Sequence, residues 1–210
     1  MRIGRETNGA IIDRGKTYIE SNQYDKALAE FKKVTEREPK NTDALKGIGV
    51  CLASKGDYEP AITYFVQCIE ILPDDNEARF DLALAYASSG EQRKAISIFD
   101  KVIENDPFDI EAHKCMGIAH TTLGEHNQAI RAFQRVISID REDATAYFNL
   151  GVSSNYMKKY DNALMHFEHA KKLFKKSGDL DKVAAIDREI GHISEAQESA
   201  SKELVDGNNQ

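Results

Sequence analysis

His166 and His169, three positions apart on a helical pattern, have the spacing with which two imidazoles can share a metal ion. A site would need a third ligand. None occurs in the local pattern, and both positions fall on an outward face, so no metal or cofactor is expected. The paired carboxylates Asp74 and Asp75 could divide acid and base roles, but they lie in a turn, where a carboxylate caps the next helix and suits its dipole. Lys171, Lys172, Lys175 and Lys176 could contact phosphates. They close a helix, where cations suit the dipole, and no aromatic residues interleave them as a nucleic-acid platform would require. Cys51, Cys68 and Cys115 show neither CxxC spacing nor an even count, and each sits inside a helical pattern, so they read as small buried hydrophobes. The chain has no glycine-rich phosphate loop, no GxSxG elbow and no HExxH pair. The expectation is a protein that is not an enzyme.

Composition points the same way. Net charge is -7, with both signs interspersed over a 30% charged sequence, which argues against nucleic-acid or anionic-membrane partners. No apolar run approaches the roughly 18 residues of a membrane span, and Met1 to Gly9 lacks the apolar segment of a secretory signal. A cytoplasmic location without direct membrane insertion is expected.

The elements that hold these residues are set by three ladders with a 34-residue step. Gly15, Gly49, Ala83, Gly117 and Gly151 form the first, Ala27, Ala61, Ala95, Ala129 and Ala163 the second, and Phe31, Phe65, Phe99, Phe133 and Phe167 the third. A fixed period of this length marks one supersecondary unit stacked on itself, each copy unable to bury its apolar face alone. In the copy from Thr42 to Asp75, Leu45, Ile48, Gly49 and Leu52 define one helix face, and Tyr58, Ala61, Phe65 and Cys68 define a second. Gly56, Gly90 and Gly124 recur between the two, with Asn22 in the first copy, at the place where a chain leaving a helix needs a left-handed residue. Pro39, Pro73 and Pro107 end the second helix, while Arg141 and Lys175 stand in their place later, so the last helix is expected to run past Lys175. The phenylalanines fill the space beside the small residues. One continuous all-α stack of antiparallel helix pairs follows.

The small residue, aromatic, alanine, phenylalanine and closing proline at this period resemble the tetratricopeptide repeat (TPR) family. The likeness spans five units, residues 8–41, 42–75, 76–109, 110–143 and 144–177. It implies a right-handed superhelical solenoid whose first helices line a concave groove. Carried over position by position, the groove would present Ile12, Lys16 and Ile19; Asp43, Lys46, Val50 and Ala53; and Glu77, Phe80, Leu84 and Ala87. Glu111, Lys114, Ile118 and Thr121 follow, then Thr145, Phe148, Val152 and Asn155. Apolar side chains such as Phe80 and Phe148 are expected to be surplus to folding, and the implied ligand is a peptide or amphipathic helix of a partner protein. Ile12 and Gly47 stand where a carboxylate-binding chaperone clamp would place polar residues, which disfavours that ligand.

Beyond Ser177, Leu180, Val183, Ile186, Ile190 and Ile193 form an apolar stripe, so residues 178–200 are expected to cap the stack and residues 201–210 to form a polar, frayed tail. Before Ala10, only Met1 and Ile3 are apolar, which suggests a fragment, or a first-helix edge that docks on a partner or on another copy. In size and unit number the chain is similar to the small bacterial TPR scaffold that coats magnetosome membranes. That likeness implies self-assembly through an N-terminal segment seated in a neighbour's groove. The alternatives to an adaptor are therefore a self-assembling coat and the regulatory part of a longer enzyme.

Overall fold

The structure, a computed structural model, describes the backbone of residues 6–207 and the side chains of residues 6–197. Met1 and Ile3, the apolar residues before Ala10, and the last three residues of the tail lie outside the described residues. Two compact units, Met1–Pro107 and Phe108–Gln210, divide the chain that the periodicity presents as one stack. In a solenoid each repeat touches only its neighbours, so nothing welds distant repeats into one block.

The first unit holds α1 (Asn8–Glu20), α2 (Tyr24–Arg37), α3 (Thr42–Ser54), α4 (Tyr58–Ile71), α5 (Asn76–Ser88) and α6 (Gln92–Asn105). The second holds α7 (Ile110–Thr122), α8 (His126–Ile139), α9 (Ala144–Tyr156), α10 (Tyr160–Ser177) and α11 (Leu180–Gly207). Among the described residues there is no strand, so the all-α expectation holds. Within each unit every helix packs on the next, and odd-numbered helices also touch one another, α1 on α3, α3 on α5 and α7 on α9. Within each unit the odd helices thus form a layer on which that unit's groove positions fall.

The three ladders account for this packing. All five phenylalanines and all five alanines are buried. The glycines admit them: a Cβ added to Gly15 would lie 2.7 Å from the Phe31 ring, one on Gly49 2.6 Å from Phe65, and one on Gly151 2.6 Å from Phe167. Such approaches leave no room for a side chain. Cys51 and Cys68 are buried as expected, and Cys115 is half-buried. Burial pushes all three thiols up to about 11, leaving them protonated and inert at neutral pH.

The turns behave as their residues dictate. Asn22, Gly56, Gly90 and Gly124 adopt positive φ, and the N–H after each bonds back into the last helical turn, as Asp57 N–H does to the Leu52 carbonyl at 3.0 Å. Lys158 does the same in the fifth pair at φ 57°, a conformation no sequence signal announces. Asp75 caps α5 through the Ala78 N–H at 2.9 Å, and Asn41, Asp109 and Asp143 cap α3, α7 and α9 in the same way. Without a proline, α8 still stops at Ile139, because the Asp140 carboxylate turns back to accept from Glu142 N–H at 2.8 Å. α10 runs past Lys175 to Ser177, as expected, and ends on left-handed Gly178.

The two ends differ from expectation in detail. α1 begins at Asn8, with Thr7 as its cap, and Arg37 donates to the Glu6 carbonyl and to Asn8 Oδ1 at 3.0 and 3.2 Å. Arg14 joins Glu6 and the buried Glu30, with 2.6 Å to the latter, and holds the Glu30 carboxyl below the usual range with help from Lys33. The entry to α1 is therefore tied to α2 by ion pairs, which a search for apolar cover alone misses. At the other end Val183, Ile186 and Ile193 are buried with Phe167, Ala170 and Phe174, as a cap requires. Leu180 is 69% exposed and takes no part in that stripe, since it opens the helix one position after its cap, Asp179. The helix reaches Gly207 because residues 195–206 include Ala, Glu, Lys and Leu and neither Gly nor Pro.

Candidate functional site

In the first unit, α1, α3 and α5 place the expected groove residues in three different environments. Ile12 is only 7% exposed and belongs to the core formed by Ile11, Ala27, Phe31 and Ile48. It is not a groove residue. A short β-branched apolar side chain at that position is drawn into the core next to it. Lys16 is exposed, while Val50, Phe80 and Leu84 are half-buried. Phe80 meets the buried Phe99 edge to face, with ring centroids 5.7 Å apart, so it also packs the third helix pair.

Lys46 is not a free cation. Its ammonium bonds the Asp75 carboxylate at 3.4 Å and also that of Glu77, tying α3 to the capped start of α5. Burial works against its charge, but the two acids outweigh burial and hold its pKa above the ordinary value. The second unit repeats the device: Lys114 bonds Glu111 at 2.8 Å and Asp143, the cap of α9, at 3.2 Å. Each lysine spans two consecutive odd helices.

On α7 and α9, Ile118 is 49% exposed, and Phe148, Val152 and Asn155 are half-buried. Phe148 tilts against Phe167 at 5.7 Å, which gives it a packing role like that of Phe80. The apolar groove residues are therefore not uniformly surplus to folding. Aspartate at Phe80 or Phe148 would disturb the pair below, and Ile118 is the side chain that folding leaves most open. The structure brings Lys46 and Lys114 to helix caps and the aromatics to the core edges, and among the expected groove residues it leaves Ile118 as the exposed apolar side chain.

One feature of the first unit escaped the sequence reading. A pocket of about 390 Å³ lies between α1, α3 and α5, with Ile19, Gly47, Val50 and the edge of Phe31 as apolar lining and Asp81 among its acids. Burial, reinforced by Glu77 and Asp75 and eased by Lys46, pushes the Asp81 carboxyl up to about 6. The equivalent ladder positions hold Asp13, Gly47, Cys115 and Asn149, so a carboxylate stands at two of the five.

The histidine pair is placed differently. His169 stacks on Tyr147 with centroids 4.0 Å apart, and His166 is half-buried, held below its usual pKa by that burial and then by His169. The described residues contain no group of three or more metal-ligating side chains. No helix among them is long and apolar enough to cross a membrane.

Family models agree with the periodicity. Models described as tetratricopeptide repeat match residues 12–68, 52–117 and 144–177, and one described as TPR repeat matches residues 119–153. The chain belongs to the tetratricopeptide repeat family. No curated protein sequence matches it. Among solved structures, this TPR chain is similar to a crystal structure of MamA, at 24% identity over 79% of this chain and 96% of that one, with a TM-score of 0.74. A MamA structure beginning at residue 41, from Desulfovibrio magneticus RS-1, is 20% identical over 80% of this chain and 96% of that one, with a TM-score of 0.76. At such identities the likeness is one of fold, and it reproduces the TPR helix pairs described above.

Proposed function

We propose that this TPR protein is a noncatalytic adaptor whose odd-numbered helices receive a peptide or amphipathic helix of another protein, acting in the cytoplasm or at an organelle surface through that partner. Family membership supports the interaction role. The observation that carries the choice of surface is Ile118, left 49% exposed on α7 while the signature side chains around it are buried. An accessible apolar side chain in a layer of ion-paired lysines offers an anchor flanked by polar contacts, the usual composition of a peptide groove.

A photo-crosslinking amino acid introduced at Leu84 or Ile118 is expected to couple to a discrete protein species in extracts of the native cell. The same group at Lys101 on α6 or Gln134 on α8, both exposed, is expected not to. Val152→Asp should reduce coupling from Ile118, on the neighbouring odd helix of the same unit, by about tenfold, because one buried aliphatic anchor contributes roughly 1.5 to 3 kcal/mol. Equal coupling from even and odd helices would refute the assignment of the surface.

The likeness to MamA, and to the magnetosome coat in size and unit number, supports a second reading in which copies of the chain assemble. Light scattering over a concentration series is then expected to show mass rising with concentration, and a constant monomer mass would remove that reading.

A further inference from the structure

We propose that the pocket between α1, α3 and α5 is the docking site for a basic side chain, lysine or arginine, carried by a protein segment lying along these helices. The proposal rests on the adaptor reading above and adds the chemistry of one subsite. Shape comes first. The pocket's volume of about 390 Å³ lies within the range of ligand-binding clefts, and its lining is partly apolar. A Cβ on Gly47 would lie 2.5 Å from the Phe31 ring, so that ring packs directly on α3 and, with Ile19 and Val50, forms the apolar wall. Such a lining suits the aliphatic stem of a long cationic side chain better than a compact polar group.

Charge decides the sign of the occupant. The groups that face the pocket are Lys16 and Glu20 from α1, Asp43 and Lys46 from α3, and Glu77 and Asp81 from α5. Lys46 is already engaged by Asp75 and Glu77, and Lys16 stands exposed at the outer end. Asp81 is half-buried, and among the described residues no N–H or O–H hydrogen-bonds its carboxylate. A partly desolvated carboxylate without a hydrogen bond is unfavourable until a cation reaches it. An anion would meet four carboxylates; a lysine or arginine would give Asp81 its missing partner and leave the Lys46 bridge in place. The raised pKa of Asp81 describes the same unmet demand. Binding of a cation requires the ionised form, so affinity should fall as pH drops below about 6.

The test uses the full chain, labelled with ¹⁵N, and three capped pentapeptides at low salt: Gly-Gly-Lys-Gly-Gly and its norleucine and glutamate counterparts. The lysine peptide is expected to give saturable shifts centred on the amides of Gly47, Val50 and Asp81, and the other two to bind at least about tenfold more weakly. Asp81→Asn should weaken the lysine peptide by about tenfold, and Asp100→Asn, the same charge change on α6, by less than about twofold. The proposal is overturned if norleucine binds as well as lysine, if the two variants behave alike, or if no saturable shift centres on the pocket. Crosslinking from Leu84 and Ile118 in the face of any of these results would leave the adaptor reading standing and remove only the subsite.

Discussion

Replacing Phe99 by alanine (Phe99→Ala) is expected to lower the unfolding free energy by about 3 to 5 kcal/mol, the loss typical of a fully buried aromatic ring. Phe99 is 0% exposed and takes the edge of Phe80 against its own ring. Its ladder partner Ala83 is equally buried and too short to fill the space the ring would leave. The cavity would therefore persist, and both the transfer loss and the lost ring contact would be felt. Phe108→Ala is the matched control. That ring is 65% exposed and lies under the Arg135 guanidinium, 5.1 Å from its centroid, where a cation–π contact at the surface is worth about 0.5 to 1 kcal/mol. Urea unfolding followed by circular dichroism would measure both, and losses of similar size would contradict the ladder as the source of stability.

The ladders were legible because close packing restricts residue type. Only a missing or minimal side chain fits where Gly15 faces Phe31, so the period is written in glycine, alanine and phenylalanine for anyone who reads at the 34-residue step. The caps and left-handed turns were legible for a similar reason, each demanding a short list of residues. What stayed hidden depends on residue types that many environments tolerate. Lysine at 158 takes the left-handed turn with a side chain that gives no hint of it, and Arg37 reaches across thirty-one residues of sequence to Glu6. The same holds for the groove. Position in the repeat said that Ile12, Lys46 and Phe80 share a register, and they do, but register does not fix environment: one is in the core, one is locked to a helix cap, one leans on a core ring. Gly47 carried two meanings at once. It reads as a departure from a carboxylate clamp, and in three dimensions it lines a pocket together with Asp81, which stands one repeat later.

Asp81→Asn is expected to stabilise the protein, by roughly 2 kcal/mol at about pH 8. An aspartate in the unfolded chain ionises near 3.8, while in the fold burial first, then Glu77 and Asp75, moves Asp81 up to about 6. The folded state therefore holds this proton more tightly than the unfolded state. The stability it contributes is fully present below about 3.8, declines as pH rises through about 6, and is absent above that. Asparagine resembles the protonated acid at every pH, so the gain over the native chain should be near zero at about pH 4 and reach its full size by about pH 8. Glu6 and Glu30, held low by Arg14, give stability of the opposite pH slope, but they are common to both proteins and cancel in the difference. Urea unfolding of the pair at several pH values measures that difference directly. A gain independent of pH would mean that the carboxylate is not desolvated in the fold. A gain that grows with pH, together with loss of lysine-peptide binding in the same variant, would show a charge that weakens the fold and serves the pocket, the trade expected where a side chain is set for a ligand instead of for its neighbours.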